Sequence, residues 1–405
     1  MLQKIMSSTL RSAEIVPFLV VFGMAVALAS CESPGSVGSG LSDSKAQVQV
    51  VRDTIEVVDT TGFNSFSGRY AYFSAGGFSD PLFGDLAATG LVKPSLPSPD
   101  DSLEENATMK MRIIFDSQNV YGDTLANQSF EIYRITEYWR DKAIKLKDNL
   151  TLDESQSLAT FTVEQEDSLD VPLDPAWVSN YYRKYAESDD ANADSVYANE
   201  VHGLALVPTG SNKIIPLDAQ STRFVIENPE TDTFQVASSQ WAYQLKRQNE
   251  PATAEGKAAV YNMLEQILHF QLDISDVDIT GPSIAKAELV FHQDELMMEQ
   301  SVSGSVRRAR SRSAQLHFVS PEQTPDNLIA GTPVSTGIYS EEDQAFHFNV
   351  TAFMQNAFIN GFPENRKFYL MLPADGAVRA SLLTIDPDSI NAPELVITYL
   401  NNSTD

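Results

Sequence analysis

The sequence predicts an all-β protein, built from tandem jelly-roll-like antiparallel β-sandwiches with a few short helices. Short segments rich in Val, Ile, Phe, Tyr and Thr recur from Val48 onward, many of them alternate apolar with polar residues, and turn-forming residues separate them. Helical periodicity is confined to residues 175–185, 253–266 and 350–360. Many short strands with few helices are typical of sandwich folds.

The two halves of the chain repeat one order of elements. In the first half SLDVPLDPAWVSNYYRKY leads to HGLALVP, and in the second AFHFNVTAFMQNAFINGF leads to KFYLMLP. Each reads as a strand, an amphipathic turn and a strand that closes on proline, so that Val171 corresponds to Val350 and Pro208 to Pro373. We therefore expect one sandwich at residues 45–235 and a related one at 236–400. The alternative is one large sandwich whose strands are merely alike.

Residues 1–30 have the three parts of an export signal. Lys4 and Arg11 charge its start, and the apolar run at 15–27 is too short to span a membrane. Residues 28–31, Leu-Ala-Ser-Cys, resemble the lipobox of bacterial lipoproteins. The resemblance implies a diacylglyceryl group on the Cys31 thiol, cleavage before that residue and acylation of the new amino terminus. The alternative is an ordinary secretory signal followed by an incidental thiol.

Composition narrows the classes of partner. Residues 31–44 are rich in Gly and Ser and read as a flexible tether. The chain has 55 acidic and 28 basic residues, a formal net charge of −27, which disfavours nucleic acid and anionic lipid surfaces as partners. Its single cysteine excludes a disulfide within the chain and a thiolate metal cluster.

Two family resemblances span most of the chain after Cys31. The segments IAKAELVFHQ, FHFNVTAFMQ and APELVITY resemble jelly-roll, carbohydrate-binding-module-like domains of secreted bacterial proteins. GRYAYFSAGGFSDPLFGDLAATGLV and HGLALVP are similar to a family of uncharacterised bacterial surface lipoproteins. Together they imply a lipid-anchored surface protein of β-sandwich fold, and they supply no catalytic residues.

The segment FSDPLFGD, residues 78–85, has two interpretations. Asp-Pro favours a tight turn and Gly84 accepts a left-handed backbone, so the segment suits a structural turn that places Phe83 in the core. The functional alternative is a structural Ca²⁺ site that uses Asp80 and Asp85, because hard oxygen ligands suit this ion. No other cofactor is expected.

A run of basic residues stands out in this acidic chain. SVRRARSRS, residues 305–313, contains Arg307, Arg308, Arg310 and Arg312. Guanidinium groups match carboxylate and sulfate geometry, so the run is a candidate site for the acidic groups of an anionic glycan or partner. The structural alternative is an exposed hairpin tip attracted to the protein's own acidic surface.

Aromatic residues and histidines form two further candidate sites. Trp177, Tyr181 and Tyr185 are spaced by four and share one helical face, where they either pack in the core or stack on sugar rings. Trp139 and Trp241 have the same ambiguity. Four histidines stand in second-half strands beside core phenylalanines, at solvated positions or at a transition-metal site; they are His269, His292, His317 and His347.

No catalytic motif is present, so we expect a non-catalytic protein. The expected function is glycan binding through sandwich loops by a lipoprotein of the outer membrane, facing the periplasm or the outside. The alternative is a structural or protein-partner component of an outer-membrane complex. A glycan-active hydrolase is a weaker alternative, since paired carboxylates occur by chance in so acidic a chain.

Overall fold

A computed structural model describes residues 46–98, 101, 103–183, 193–272, 284–300, 302, 304–319, 332–361 and 367–402. Val50–Tyr399 forms one compact unit, and the remaining described residues, 46–49 and 400–402, are the outer ends of two strands. The predicted signal peptide, Cys31 and the tether lie outside the described residues.

The strands up to Gln248 are β1 (Ala46–Thr54), β2 (Glu56–Gly62), β3 (Tyr72–Asp80), β4 (Gly84–Pro94), β5 (Thr108–Ile114), β6 (Tyr121–Asp123), β7 (Gln128–Ile135), β8 (Leu152–Asp153), β9 (Ala159–Val163), β10 (Ser168–Pro172), β11 (Leu204–Pro208), β12 (Lys213–Asp218), β13 (Arg223–Glu227) and β14 (Phe234–Gln248). Those that follow are β15 (Lys257–Tyr261), β16 (Gln266–Gln271), β17 (Ile284–His292), β18 (Val306–Arg307), β19 (Ser313–Phe318), β20 (Ser335–Ser340), β21 (Ala345–Asn349), β22 (Lys367–Met371), β23 (Ala380–Thr384) and β24 (Glu394–Asn402).

The helices are short. They are α1 (Pro175–Trp177), which continues as a π-helical turn (Val178–Arg183), α2 (Ala193–Glu200), α3 (Glu295–Gln300) and α4 (Thr351–Asn360), together with a 3₁₀ turn (Ser117–Asn119). Among the described residues, none of these helices is long and apolar enough to cross a bilayer.

Two antiparallel sheets contain these strands. One has the order β10-β5-β13-β14-β4-β3-β12-β6-β18, with β11 joining β4 to β7 and with β8 and β9 beside β7. The other has the order β1-β24-β17-β21-β20-β19-β22-β16-β15-β23, with β2 on β16. Strands account for about 50% of the described residues and helices for 11%, so the predicted all-β, sandwich-like class is confirmed.

Alternation of apolar and polar residues explains why these segments fold as strands. In β5, Met109, Met111 and Ile113 are buried while the residues between them are more exposed, which is the period of a sheet with one covered face. β3 and β4 instead are buried on both faces and use small residues. A Cβ added at Gly90 would lie 3.2 Å from the Phe73 ring, so glycine permits this close packing.

Two large hydrophobic cores hold the compact unit together. The first contains the inner faces of β3 to β14 and also takes in Tyr261 of β15, Leu382 of β23 and Met298 of α3. The second is formed by β16, β17, β19, β21, β22 and β24, with Phe270, Phe291 and Phe348 each 0% exposed at its centre. Helix α3 is therefore anchored to the first core through Met298.

The structure corrects one predicted helix. Lys257–Tyr261 within residues 253–266 is β15, and Gln266 begins β16; residues 258–265 are all buried, and a run buried on both faces lacks the alternation that identifies a strand. Met263 and Leu264, both with φ of 59°, lie in the turn between these strands. The predicted division at 235/236 falls inside β14, a strand of the first sheet over its whole length, and the two-sandwich division stays a prediction.

Candidate anion-binding pocket

A pocket of about 770 Å³ opens beside residues 304–312, the segment that carries the arginine run. All four arginines line it, namely Arg307, Arg308, Arg310 and Arg312. The opposite walls come from the 3₁₀ turn, from α3, from β20 and from the turn that follows β20. They include Gln118, Asn119, Glu295, Glu299, Tyr339 and Glu341.

Arg308 points inward and anchors the segment. Its Nε donates to Asp80 Oδ2 at 2.7 Å and its Nη2 to Asp80 Oδ1 at 2.6 Å, and the two side chains are 2% and 0% exposed. The guanidinium also donates to the Met298 carbonyl and lies 5.4 Å from the centre of the Phe83 ring. With these contacts made, Arg308 holds the pocket wall in place and has no donor turned to a ligand.

The β3–β4 turn presents Asp80 to this arginine. Asp80 pairs with Gly84 across the turn, where a φ of 81° suits glycine, and its Oδ1 accepts the Leu82 backbone N–H at 2.8 Å. The Tyr121 hydroxyl donates to Asp80 Oδ2 at 2.8 Å. Phe83, 1% exposed, is plugged into the core as the turn interpretation required.

Asp80 and Asp85 do not form a common calcium site. Asp85 pairs with Ser79 in the hairpin, so its side chain lies on the face of the sheet opposite to that of Asp80. There it accepts from Asn249 Nδ2 at 2.6 Å, and this hydrogen bond lowers the pKa of the Asp85 carboxyl. The alternation of a strand therefore separates the two carboxylates that the sequence places five residues apart.

Arg310 lies half-exposed between two glutamates of α3. Its Nη1 is 2.5 Å from Glu295 Oε2, and its Nη2 is 3.3 Å from Glu299 Oε1. Glu295 is buried and its Oε1 also accepts from Gln293 Nε2 at 2.6 Å and from the Tyr339 hydroxyl. Burial, followed by the hydrogen bond to Glu295, raises the pKa of Tyr339.

Backbone contacts hold the arginine segment in one conformation. Residues of β18 pair with β6, and the Arg379 guanidinium donates to the Arg310 carbonyl at 3.0 Å. The Tyr339 backbone N–H donates to the Arg312 carbonyl at 3.0 Å. A segment whose backbone is fixed at these points has little backbone conformational entropy left to lose on binding.

Arg307 and Arg312 are the two arginines turned toward solvent at this pocket. Arg307 makes one long contact, from Nη1 to the Gln118 carbonyl at 3.4 Å. Neither residue has a carboxylate within ion-pair distance among the residues that the structure describes. The pocket thus offers two guanidinium groups to an incoming anion, beside two that the protein pairs internally.

Of the predicted aromatic row, the structure describes Trp177 and Tyr181. Asp174 caps α1 by accepting the Ala176 N–H at 2.7 Å, and this turns Trp177, 2% exposed, onto the Tyr182 ring. Tyr181 is half-buried under the Arg134 guanidinium, 4.4 Å from its ring centre. Tyr185 lies outside the described residues. Trp177 and Tyr181 both line a second, smaller pocket of about 150 Å³, but Trp177 is too deeply buried to offer its ring face to a sugar.

Trp139 and Trp241 also turn inward. The Trp139 ring belongs to a small cluster with Ile135 and Ile144, and its Nε1 donates to the His202 carbonyl at 2.7 Å. Trp241 donates from Nε1 to the Tyr70 carbonyl at 2.8 Å. Both are satisfied structural residues.

The histidines do not assemble into one metal site. His269 and His317 lie on either side of Tyr369 across β16, β22 and β19, and burial lowers the pKa of both imidazoles. His347 Nε2 is 2.6 Å from Asp343 Oδ2 on another part of the sheet. No group of three or more His, Cys, Asp or Glu within the described ranges is placed to hold a metal ion. His317, 3% exposed, is not at a solvated position.

The sequence identified the arginines but not the carboxylates that pair with them. Asp80 was a candidate only for calcium and lies 228 residues before Arg308, whereas Glu299 precedes Arg310 by 11 residues. The i, i+4 spacing of Glu295 and Glu299 was a readable signal, since it places two carboxylates on one helical face.

Comparisons with known proteins give no family. No family model and no curated protein matches the sequence. Two solved structures show a weak likeness. The Macrobrachium rosenbergii nodavirus structure has 9% identity and a TM-score of 0.14 and covers 100% of this chain and 97% of that one. The infectious bursal disease virus Gx strain structure has 11% identity and a TM-score of 0.11, with coverages of 89% and 78%. At these TM-scores the likenesses carry no argument about fold or function.

Proposed function

We propose that this protein is a lipid-anchored, non-catalytic lipoprotein of the outer membrane that binds an anionic glycan. The carboxylate or sulfate groups of the glycan are held by the arginines of the 770 Å³ pocket. One observation carries the proposal: Arg307 and Arg312 are exposed in that pocket, and neither has a carboxylate partner within the described part of the chain.

An arginine without an acidic partner is unexpected on so acidic a protein. Most arginines elsewhere in the described residues are paired, as Arg52 is with Glu394 at 2.6 Å and Arg112 is with Asp170 at 2.7 Å, although the exposed Arg140 has the Tyr138 hydroxyl in place of a carboxylate. Two guanidinium groups left open at one pocket can each supply bidentate donors for an anion, and charge-assisted hydrogen bonds are stronger than neutral ones.

The size and lining of the pocket favour a polar ligand. Its volume lies within the range of about 300–1,000 Å³ that is common for small-molecule sites. Most of its lining residues are charged or carry amide or hydroxyl groups, which suits a sugar with acidic substituents better than an apolar molecule. The arginine run lies at one pocket of a chain with a net charge of −27, whereas nucleic acid requires an extended basic surface.

The anchor places this pocket at the cell envelope. A diacylglyceryl group on Cys31, implied by the lipobox resemblance, would hold the protein on a membrane, since each buried methylene contributes about 0.8 kcal/mol. The Gly/Ser-rich residues 31–44 would let the sandwich reach a polysaccharide beyond the lipid surface.

The binding test uses polysaccharides of defined charge. Isothermal titration of the full chain is carried out with polygalacturonate for carboxylates, dextran sulfate for sulfates and neutral dextran. We expect one polyanion to bind and neutral dextran not to bind. The Arg307→Ala/Arg312→Ala variant should bind at least about tenfold more weakly, because each lost charge-assisted bond is worth about 1.5–3 kcal/mol.

A matched control separates the pocket from overall charge. Arg52→Ala/Arg140→Ala removes two exposed arginines elsewhere on the surface and changes the net charge equally. Its affinity should stay within about twofold of that of the wild type. The absence of binding to either polyanion, or an equal loss in both double variants, would refute the proposal.

A further inference from the structure

We infer that Glu299 is a specificity-determining residue. Its carboxylate occupies the position on Arg310 that a second acidic group of the ligand would take. The pocket then selects polyanions over single anions. This inference rests on the proposed function and goes beyond it, because it names polyanions as the class of ligand and Glu299 as the residue that discriminates against single anions.

Helix α3 brings two carboxylates to one guanidinium. Glu295 and Glu299 are four residues apart and therefore share a face of the helix, which turns toward Arg310. The helix is held in place by Asp294, whose Oδ1 accepts the Met297 N–H at 2.9 Å and whose Oδ2 lies 2.6 Å from Lys257 Nζ. The position of both glutamates is thus set by the fold.

The two glutamates are held very differently. Glu295 is 5% exposed, lies 2.5 Å from Arg310 and has Gln293 and Tyr339 as further partners. Glu299 is 69% exposed, and its contact with Arg310 at 3.3 Å is the one ion pair that it makes among the described residues. An exposed pair with one long contact is weak, so Glu299 can be displaced while Glu295 cannot.

Displacement of Glu299 exposes a third donor to the ligand. Arg307 and Arg312 are open to an acidic group with no change in the protein, whereas Nη2 of Arg310 becomes available only after Glu299 leaves. A single anion gains nothing from that exchange once it is held by an open arginine. A ligand with several acidic groups gains a further ion pair for the one that is lost.

The test is a titration of the full chain with polygalacturonate, dextran sulfate and monomeric galacturonate. Glu299→Gln removes the competing charge from an exposed side chain, so folding is not at risk. Affinity for the bound polyanion should rise by about two- to fivefold, the equivalent of an exposed ion pair, and affinity for the monomer should not change. Glu341→Gln is the matched control, because Glu341 lines the same pocket and makes no ion pair among the described residues.

A second pair of variants locates the effect on Arg310. In an Arg310→Lys background, where the shorter ammonium retains a charge for Glu295, the gain from Glu299→Gln should disappear. If the wild type binds the polyanion and the Glu299→Gln and Glu341→Gln variants have equal affinities for it, this inference is overturned and the proposed function stands. The absence of polyanion binding by the wild type and by every variant overturns both.

Discussion

Asp80 and Arg308, 228 residues apart in the sequence, form a buried ion pair with two hydrogen bonds of 2.7 and 2.6 Å. The pair ties the β3–β4 turn to the segment that carries the arginines of the pocket. Its side chains are 0% and 2% exposed, so water cannot solvate either charge if its partner is removed. The pocket therefore depends on a contact between the two halves of the chain.

Removal of one partner of this pair should destabilise the protein strongly. Asp80→Asn leaves Arg308 buried without its counter-charge, and we expect a loss of about 3–5 kcal/mol in the free energy of unfolding, measured by urea denaturation. Arg112→Met breaks the exposed pair with Asp170 and should cost less than about 1 kcal/mol. Similar losses in the two variants would contradict the structural role given to the buried pair.

The fold was predictable from the sequence where alternation is clear, and not where both faces of a segment are buried. All the alternating segments, such as those of β5 and β7, are strands. Residues 253–266 were wrongly predicted as a helix because residues 258–260 are buried on both faces of the sheet, so the alternation of apolar and polar residues that identifies a strand is missing. Pairing partners such as Asp80 and Arg308 follow from topology, which no local pattern encodes.

Lys93 should make the stability of the protein depend on pH. Its Nζ is buried beneath α2 and donates to the carbonyls of Tyr197 at 3.0 Å and Ala198 at 3.3 Å. Burial lowers the pKa of Lys93 from 10.5 to about 8. Between these values the unfolded chain binds more protons than the folded one, so stability from this group rises with pH, by about 3 kcal/mol at most.

The measurement compares urea denaturation at pH 7.5 and 10 for the wild type, Lys93→Met and Lys142→Met. The difference in unfolding free energy between wild type and Lys93→Met should change in favour of the wild type as pH rises through this window. Lys142, an exposed lysine, provides the baseline for loss of one ammonium group. A constant difference between wild type and Lys93→Met would show that the Lys93 ammonium is not penalised by burial.

Trp177 should act on stability rather than on glycan binding. Its ring is 2% exposed and stacks on Tyr182 with a centroid distance of 6.0 Å. Trp177→Ala should lower the free energy of unfolding by about 3–5 kcal/mol. The folded fraction should bind polyanions with wild-type affinity. A stable Trp177→Ala variant that has lost polysaccharide binding would return the aromatic row to the list of binding sites.

Cys31 should be the point of lipid attachment. Mass spectrometry of the protein extracted from membranes should find acyl chains on the peptide that begins at Cys31. Cys31→Ser should leave the protein in the soluble extracytoplasmic fraction, because the thiol that takes the diacylglyceryl group is gone. A mature protein that starts at another residue and retains a free thiol would overturn this assignment.

The candidate site was half visible in the sequence. The arginine run was identifiable because four guanidinium groups in nine residues are unusual in a chain of net charge −27. Which of the four arginines are open to a ligand could not be predicted from the sequence, because Asp80 pairs with Arg308 and the glutamates of α3 pair with Arg310. The aromatic spacing allowed either a core face or a sugar platform, and Trp177 lies in the core while Tyr181 is half-buried.

Protection of individual arginines from phenylglyoxal, mapped by mass spectrometry, tests the central claim most directly. Without ligand, Arg307, Arg312 and the 63% exposed Arg52 should be modified, while buried Arg308 should not. A saturating concentration of the bound polyanion should protect Arg307 and Arg312 and leave the modification of Arg52 unchanged. Equal modification of Arg307 and Arg312 with and without the polyanion would contradict the claim that they hold the ligand.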